Sequence, residues 1–199
     1  MIKKFDLDSP SLFPTFIGSW AIENSLCDEI ISYYEKNKTK QIQGVTTKGI
    51  DMSVKNRRDI CIPPKDINLP GNEMLKAYFQ SLFECYKDYN FQWPFLSSMV
   101  SKLDIGGFNI AKYLPGQHFQ KVHSERTSIN TLQRLFAFMT YLNDVEDGGS
   151  TYFTHYDLDI KPKKGLTLIW PAEWTHAHRG NVLKSGSKYI ITGWLNFPV

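Results

Sequence analysis

From about Ser98 onward the chain is divided into short extended segments by turn signals at Gly106-Gly107, Pro115-Gly116, Asp147-Gly148-Gly149, Lys164-Gly165 and Ser185-Gly186. Segments this short suit strands better than helices, and Leu166–Trp170 and Lys188–Trp194 carry the β-branched and aromatic residues that strands favour. The run Arg134–Leu142 is apolar on both alternating faces, as expected of a central strand covered on both sides. Many short strands at regular spacing imply a sandwich or jelly roll.

The first half has a different pattern. Ser25 followed by Asp28 resembles a capping box, and Leu26, Ile30, Ile31 and Tyr34 then recur at helical spacing. A second helix is predicted from about Asn72 to Tyr89, with Met74, Leu75, Tyr78, Phe79, Leu82, Phe83 and Tyr86 forming one broad apolar stripe for core packing. Between the two, Asp59–Pro64 reads as a short strand ended by prolines. A length of 199 residues suits a single domain, 1–199. Residues 1–98 would supply helical support and the first strands, and residues 99–199 the core. The expected class is α+β with a mainly β core.

Apolar residues make up 42% of the chain, and 23 basic against 20 acidic residues leave a net charge of only +3, so neither nucleic acid nor membrane is expected as a partner. Cys27, Cys61 and Cys85 are widely spaced and read as reduced core thiols. With no signal peptide or membrane span evident, a cytoplasmic protein is expected. HExxH, GxGxxG, GxSxG and a Walker-type loop are all lacking, which removes the enzyme classes built on them.

All five histidines follow residue 117. In His123-Ser124-Glu125 the first and third side chains share a face on an extended strand, and one more imidazole would complete a two-histidine, one-carboxylate iron site with half its octahedral shell open. The triplet alone is weak evidence, and spacing alone does not choose the distal ligand. His176 and His178, two apart, would face the same way on a strand.

The surrounding residues carry more. Tyr113-Leu-Pro-Gly-Gln-His-Phe-Gln-Lys-Val-His123-Ser-Glu125 is followed by Tyr141-Leu-Asn-Asp and Gly148-Gly-Ser-Thr-Tyr-Phe153. Then come Trp174-Thr-His-Ala-His178-Arg-Gly180 and Gly186-Ser-Lys188-Tyr-Ile-Ile-Thr192-Gly-Trp194. This order resembles the Fe(II)/2-oxoglutarate dioxygenases of the prolyl 4-hydroxylase type over roughly residues 100–197. The resemblance implies a double-stranded β-helix with N-terminal supporting helices.

It also implies roles. His123, Glu125 and His178 would be the metal ligands and catalytic centre, with His178 preferred over His176 for its ten-residue spacing to Lys188. Lys188 would pair with the far carboxylate of 2-oxoglutarate, Tyr113 and Tyr141 would line or hydrogen-bond that co-substrate, and Thr192 would be a further contact. The cofactors implied are Fe(II), 2-oxoglutarate and O2, with ascorbate as a further candidate. The substrate implied is a proline-containing peptide or protein. Alternatives are the same chemistry on a free amino acid or other small molecule, and a cupin-like metal-binding module without oxygenase activity. The family usually has Asp where this chain has Glu125, so the strand or the rotamer must absorb one extra methylene. Segments 40–58 and 126–134, in the position of substrate-gripping loops, carry nothing diagnostic.

Overall fold

The computed structural model describes residues 2–7, 10, 13–46 and 49–198. The first half contributes strands β1 (Lys3–Lys4), β2 (Gly18–Ala21), β3 (Ile42–Gln43) and β4 (Arg58–Ile62), and helices α1 (Asn24–Lys36), α2 (Glu73–Gln92) and α3 (Phe95–Met99). The second half is strand after strand: β5 (Asp104–Ile105), β6 (Phe108–Tyr113), β7 (Phe119–His123), β8 (Arg134–Tyr141) and β9 (Thr151–Phe153) come first. They are followed by β10 (Leu158–Ile160), β11 (Leu166–Pro171), β12 (His178–Gly180) and β13 (Lys188–Asn196).

These strands form two antiparallel sheets. The larger has the order β1-β2-β11-β8-β13-β6-β4-β3, with β5 also paired to β13, and the smaller has the order β10-β9-β12-β7. Sequence neighbours are separated and rejoined across the sheets, which gives the double-stranded β-helix that the family resemblance implied. As expected, β8 is central, lying between β11 and β13.

The period of two sorts the large sheet's side chains into two cores. Phe136 and Phe138 of β8, Phe108 and Ile110 of β6, and Ile191 and Leu195 of β13 join the helix-side core, where α1 and α2 pack. Ala137, Met139, Tyr141, Ala111 and Ile190 face the other way, into the core between the sheets. Phe79 of α2 sits edge-on to Phe108 at 4.8 Å and to Phe138 at 5.8 Å. Burying a ring of this size contributes about 1.5–3 kcal/mol. The close approach leaves no room above β13: a Cβ on Gly193 would lie 2.6 Å from Phe108 Cβ and 2.8 Å from Phe138 Cζ. Beneath the helix a buried polar chain is fully connected, Tyr78 Oη to Thr140 Oγ1 at 2.9 Å and Thr140 Oγ1 to Thr167 Oγ1 at 2.8 Å.

Two local expectations need correction. Glu23, not Ser25, holds the N-cap position of α1, and no side chain caps it, so the Ser25–Asp28 pattern is not a capping box. A capping box does occur further on, with Ser128 and Thr131 closing a 3₁₀ turn between β7 and β8. Cys27 and Cys85 are buried thiols, whereas Cys61 is exposed on β4 because its side chain falls on the outward phase of that strand. Among the described residues no helix is long and apolar enough to cross a membrane.

Candidate metal centre

The two histidines meet by register. β12 and β7 are antiparallel neighbours, and His178 is the direct cross-strand partner of His123, with ring centroids 4.5 Å apart. Directly opposed residues on antiparallel strands hold their side chains close, so strand pairing itself brings the imidazoles together. Glu125 lies just beyond the end of β7, where its backbone N–H and that of Arg126 both donate to Ala172 O, at 3.2 and 2.9 Å. Its Oε1 stands 3.9 Å from His123 Nε2 and 3.5 Å from His178 Nε2. Among the described residues, these three are the group whose ligand atoms, all within 4.8 Å of one another, could hold a metal ion.

The donor chemistry fits a divalent metal. His123 Nδ1 is 2.8 Å from Lys121 O, and His178 Nδ1 is 2.9 Å from His176 O. A carbonyl only accepts, so both Nδ1 atoms carry the proton and both Nε2 lone pairs are left for a ligand. Burial, reinforced by His178, pushes the His123 pKa down to about 4 against the opposing pull of Glu125, which keeps the ring neutral at pH 7. Burial alone would raise the Glu125 pKa, but His123, His178, the Trp194 hydrogen bond and Arg134 together hold it below the usual carboxylate value. Two imidazoles that present Nε2 and one carboxylate, with other positions open, suit Fe(II).

The extra methylene of Glu125 is taken up by β13. Trp194 Nε1 donates to Glu125 Oε2 at 2.7 Å, leaving Oε1 toward the histidines. Arg134 stacks 3.6 Å from the Trp194 ring centroid and donates through Nη1 to the Glu125 carbonyl at 2.9 Å.

The cavity beside this cluster runs between the sheets. Tyr113, Lys188 and Thr192 line it, with Trp170, Met139, Ile190 and Thr151 among its other walls. Lys188 and Tyr113 are direct partners across β13 and β6. Lys188 is 2% exposed, and its Nζ donates to Gly149 O at 2.7 Å and lies 4.0 Å from the Tyr113 ring centroid. Burial, then the nearby Arg57, pushes its pKa down to about 7. Thr192 donates to Phe138 O at 2.9 Å. Tyr141 stands behind the wall, its single hydroxyl proton shared between Thr151 Oγ1 at 2.6 Å and Ile160 O at 3.1 Å.

His176 does not share a strand face with His178. It ends a 3₁₀ turn, Trp174–His176, and β12 begins only at His178. Its Nε2 contacts Thr15 O at 2.8 Å and its Nδ1 Thr175 Oγ1 at 3.0 Å, so it belongs to a different neighbourhood. Trp174 is 70% exposed and packs edge-on to His155, away from the cluster, where Trp194 bonds Glu125 and Trp170 packs edge-on to His178. Arg126 is committed to an ion pair with Glu173.

Residues 108–196 match the model of the 2OG-Fe(II) oxygenase superfamily. That match covers most of the strand-rich second half of the chain. Among curated proteins, the chain is 27% identical over 125 residues to probable prolyl 4-hydroxylase 9 of Arabidopsis thaliana, covering 50% of this chain and 43% of that protein. It is 27% identical over 104 residues to prolyl 4-hydroxylase subunit alpha-2 of Gallus gallus, covering 49% of this chain and 19% of that one. The chain thus spans less than half the length of these relatives. Among solved structures, a viral collagen prolyl hydroxylase from Paramecium Bursaria Chlorella virus-1 superposes with a TM-score of 0.65 at 20% identity, covering 92% of this chain and 97% of that one. A Pseudomonas putida prolyl-4-hydroxylase gives 0.69 at 16% identity, covering 90% and 92%. A Trichoplax adhaerens prolyl hydroxylase, in complex with a hypoxia inducible factor peptide fragment, gives 0.69 at 15%, covering 92% and 84%.

Reading the sequence did not anticipate Lys55, Arg57 and Asn109 on the cavity wall, or Asp59 behind it. The available signal was the charge alternation Lys55-Asn-Arg57-Arg-Asp59 leading into an apolar strand, which puts three charged residues on one phase of an extended segment.

Proposed function

We propose that the chain is an Fe(II)- and 2-oxoglutarate-dependent dioxygenase that hydroxylates a prolyl residue in a peptide or protein. One observation carries this reading: the His123–Glu125–His178 cluster and the buried cation of Lys188 open onto the same cavity. A purely structural metal site or a cupin-like module has no use for a buried lysine facing the cavity, whereas a dicarboxylate needs a cation for its far end.

His123 Nε2, Glu125 Oε1 and His178 Nε2 are the groups that would hold Fe(II). When bound, the iron supplies the redox chemistry by which 2-oxoglutarate and O2 become succinate, carbon dioxide and one hydroxyl on the substrate. Everything else is binding and orientation by the protein. Lys188 would receive the distal carboxylate as a point charge, and the carboxylate in turn would keep the lysine protonated. Trp170 and Phe153 pack around His178 at centroid distances of 5.2 and 5.3 Å and exclude water from that ligand. Trp194 fixes which oxygen of Glu125 faces the histidines.

The prolyl substrate is supported by the prolyl hydroxylases among the relatives and structural neighbours. The test is succinate production by purified protein supplied with Fe(II), 2-oxoglutarate, O2 and a proline-containing peptide library, read together with a mass gain of one oxygen on a peptide. Succinate with no modified peptide, but with an oxidised amino acid or small molecule, would move the substrate and leave the chemistry. No succinate above a metal-free control would overturn the oxygenase reading.

A further inference from the structure

One wall of the cavity comes from outside the superfamily match. Lys55 and Arg57 precede β4, and both line the cavity that holds Lys188. Their side chains are 9% and 5% exposed, and Asp59, at 2%, pairs with both: Lys55 Nζ at 3.1 Å and Arg57 Nε at 2.7 Å. Lys55, Arg57 and Lys188 therefore set three buried basic side chains against the carboxylate of Asp59, while the cavity's other carboxylate, Glu125, faces His123 and His178. Crowding like charges in a dry site is costly, and Lys55 alone would suffice to pair Asp59. The arrangement is intelligible if the cavity takes up an anion.

The geometry at Tyr113 shows how Arg57 would serve that anion. Arg57 Nη1 donates to Tyr113 Oη at 2.7 Å. A guanidinium has donors only, so the phenol oxygen is the acceptor and its own proton is not used in this contact. Among the described residues Tyr113 Oη has no other hydrogen-bond partner, and the ring lies against Lys188 Nζ at the same end of the cavity. Arg57 thus fixes the ring's reach and leaves the O–H to donate to whatever acceptor occupies the cavity.

We propose that Arg57, braced by Asp59, is a positioning residue that commits the Tyr113 hydroxyl to donate to the carboxylate that Lys188 pairs with. The inference rests on the 2-oxoglutarate reading above and extends it to the selection of that co-substrate. Residues 55–59 then form a specificity element: Tyr113 and Lys188 offer two converging donors, and a 2-oxo acid lacking the distal carboxylate leaves both unsatisfied.

The test is anaerobic calorimetry of 2-oxoglutarate binding to the protein loaded with Mn(II), on the wild type, Arg57→Gln, Tyr113→Phe, the double variant and Arg57→Lys. Loss of one charge-assisted hydrogen bond is expected to weaken 2-oxoglutarate binding by about ten- to a hundredfold. Each single variant should show a loss in that range, with Mn(II) affinity retained. The double variant should be no weaker than the weaker single one, because the two residues act through one contact. Arg57→Lys, which keeps a cationic donor, should recover part of the loss. Multiplying losses in the double variant, or Arg57→Gln binding 2-oxoglutarate as the wild type does, would overturn the inference. If Arg57→Gln does not fold, the cycle of Arg57→Lys with Tyr113→Phe decides the same question. A wild type that binds Mn(II) but no 2-oxoglutarate overturns the functional reading and this inference together, whereas wild-type binding with additive variants overturns only the inference.

Discussion

At the scale of the residue, the two histidines near the C-terminal end separate cleanly. His178 presents Nε2 to Glu125, while both ring nitrogens of His176 are engaged by Thr15 and Thr175. His178→Ala is expected to abolish Mn(II) binding measured by calorimetry, and His176→Ala to keep it within a few-fold while lowering the melting temperature. The reverse pattern would reassign the ligand. Lys188 carries a pH prediction. Its pKa is lowered to about 7 from an ordinary 10.5, so the burial penalty on the fold is in full force below pH 7 and is relieved as pH rises from 7 toward 10.5. Co-substrate binding runs the other way, since the carboxylate needs the charged form. Affinity for 2-oxoglutarate should be greatest below pH 7 and fall up to about tenfold per pH unit above it, toward the higher pKa of the bound form. Lys188→Arg, always charged, should remove that slope; a slope that survives the substitution would assign it to another group.

At the scale of the element, two glycines carry distinct burdens. Gly149 adopts φ +68, and a Cβ there would sit 3.2 Å from Lys188 Cδ and 3.2 Å from Leu183 Cδ1. Gly149→Ala is therefore expected to displace the lysine, raising the 2-oxoglutarate dissociation constant while sparing Mn(II) binding, both read by titration. Gly193 lies on the opposite face of β13, where overpacking against Phe108 and Phe138 should cost about 1–3 kcal/mol for Gly193→Ala, measured by urea unfolding. Helix and strand placement was largely legible in the sequence because apolar periodicity records which face is covered: α2 and β8 fall close to where their patterns put them. The ends were less legible. The Ser25–Asp28 pattern did not cap α1, and the strand expected to hold both His176 and His178 starts only at the second, because the chain still completes a turn at Trp174–His176.

At the scale of the molecule, the helices of the first half and the large sheet share one hydrophobic core. The helix-side face of the large sheet presents Phe108, Ile110, Phe138 and Ile191, all covered by the helical layer. A fragment beginning at residue 99 is expected to lose cooperative thermal unfolding, followed by circular dichroism, because that apolar face would be left open and the cavity would lose Lys55 and Arg57.

The sequence by itself determined the strand-rich architecture, the His123–Glu125 pair and the ordered set of residues from Tyr113 to Trp194. These depend on short-range alternation and on spacing along one segment, both of which a linear chain records. Only the tertiary structure decided that Trp194 fixes the longer carboxylate, that His176 turns away, and that Arg57 reaches Tyr113 across 56 residues. Those facts depend on which strands become neighbours and at what register, a property of the closed sheets that no local pattern in the chain contains.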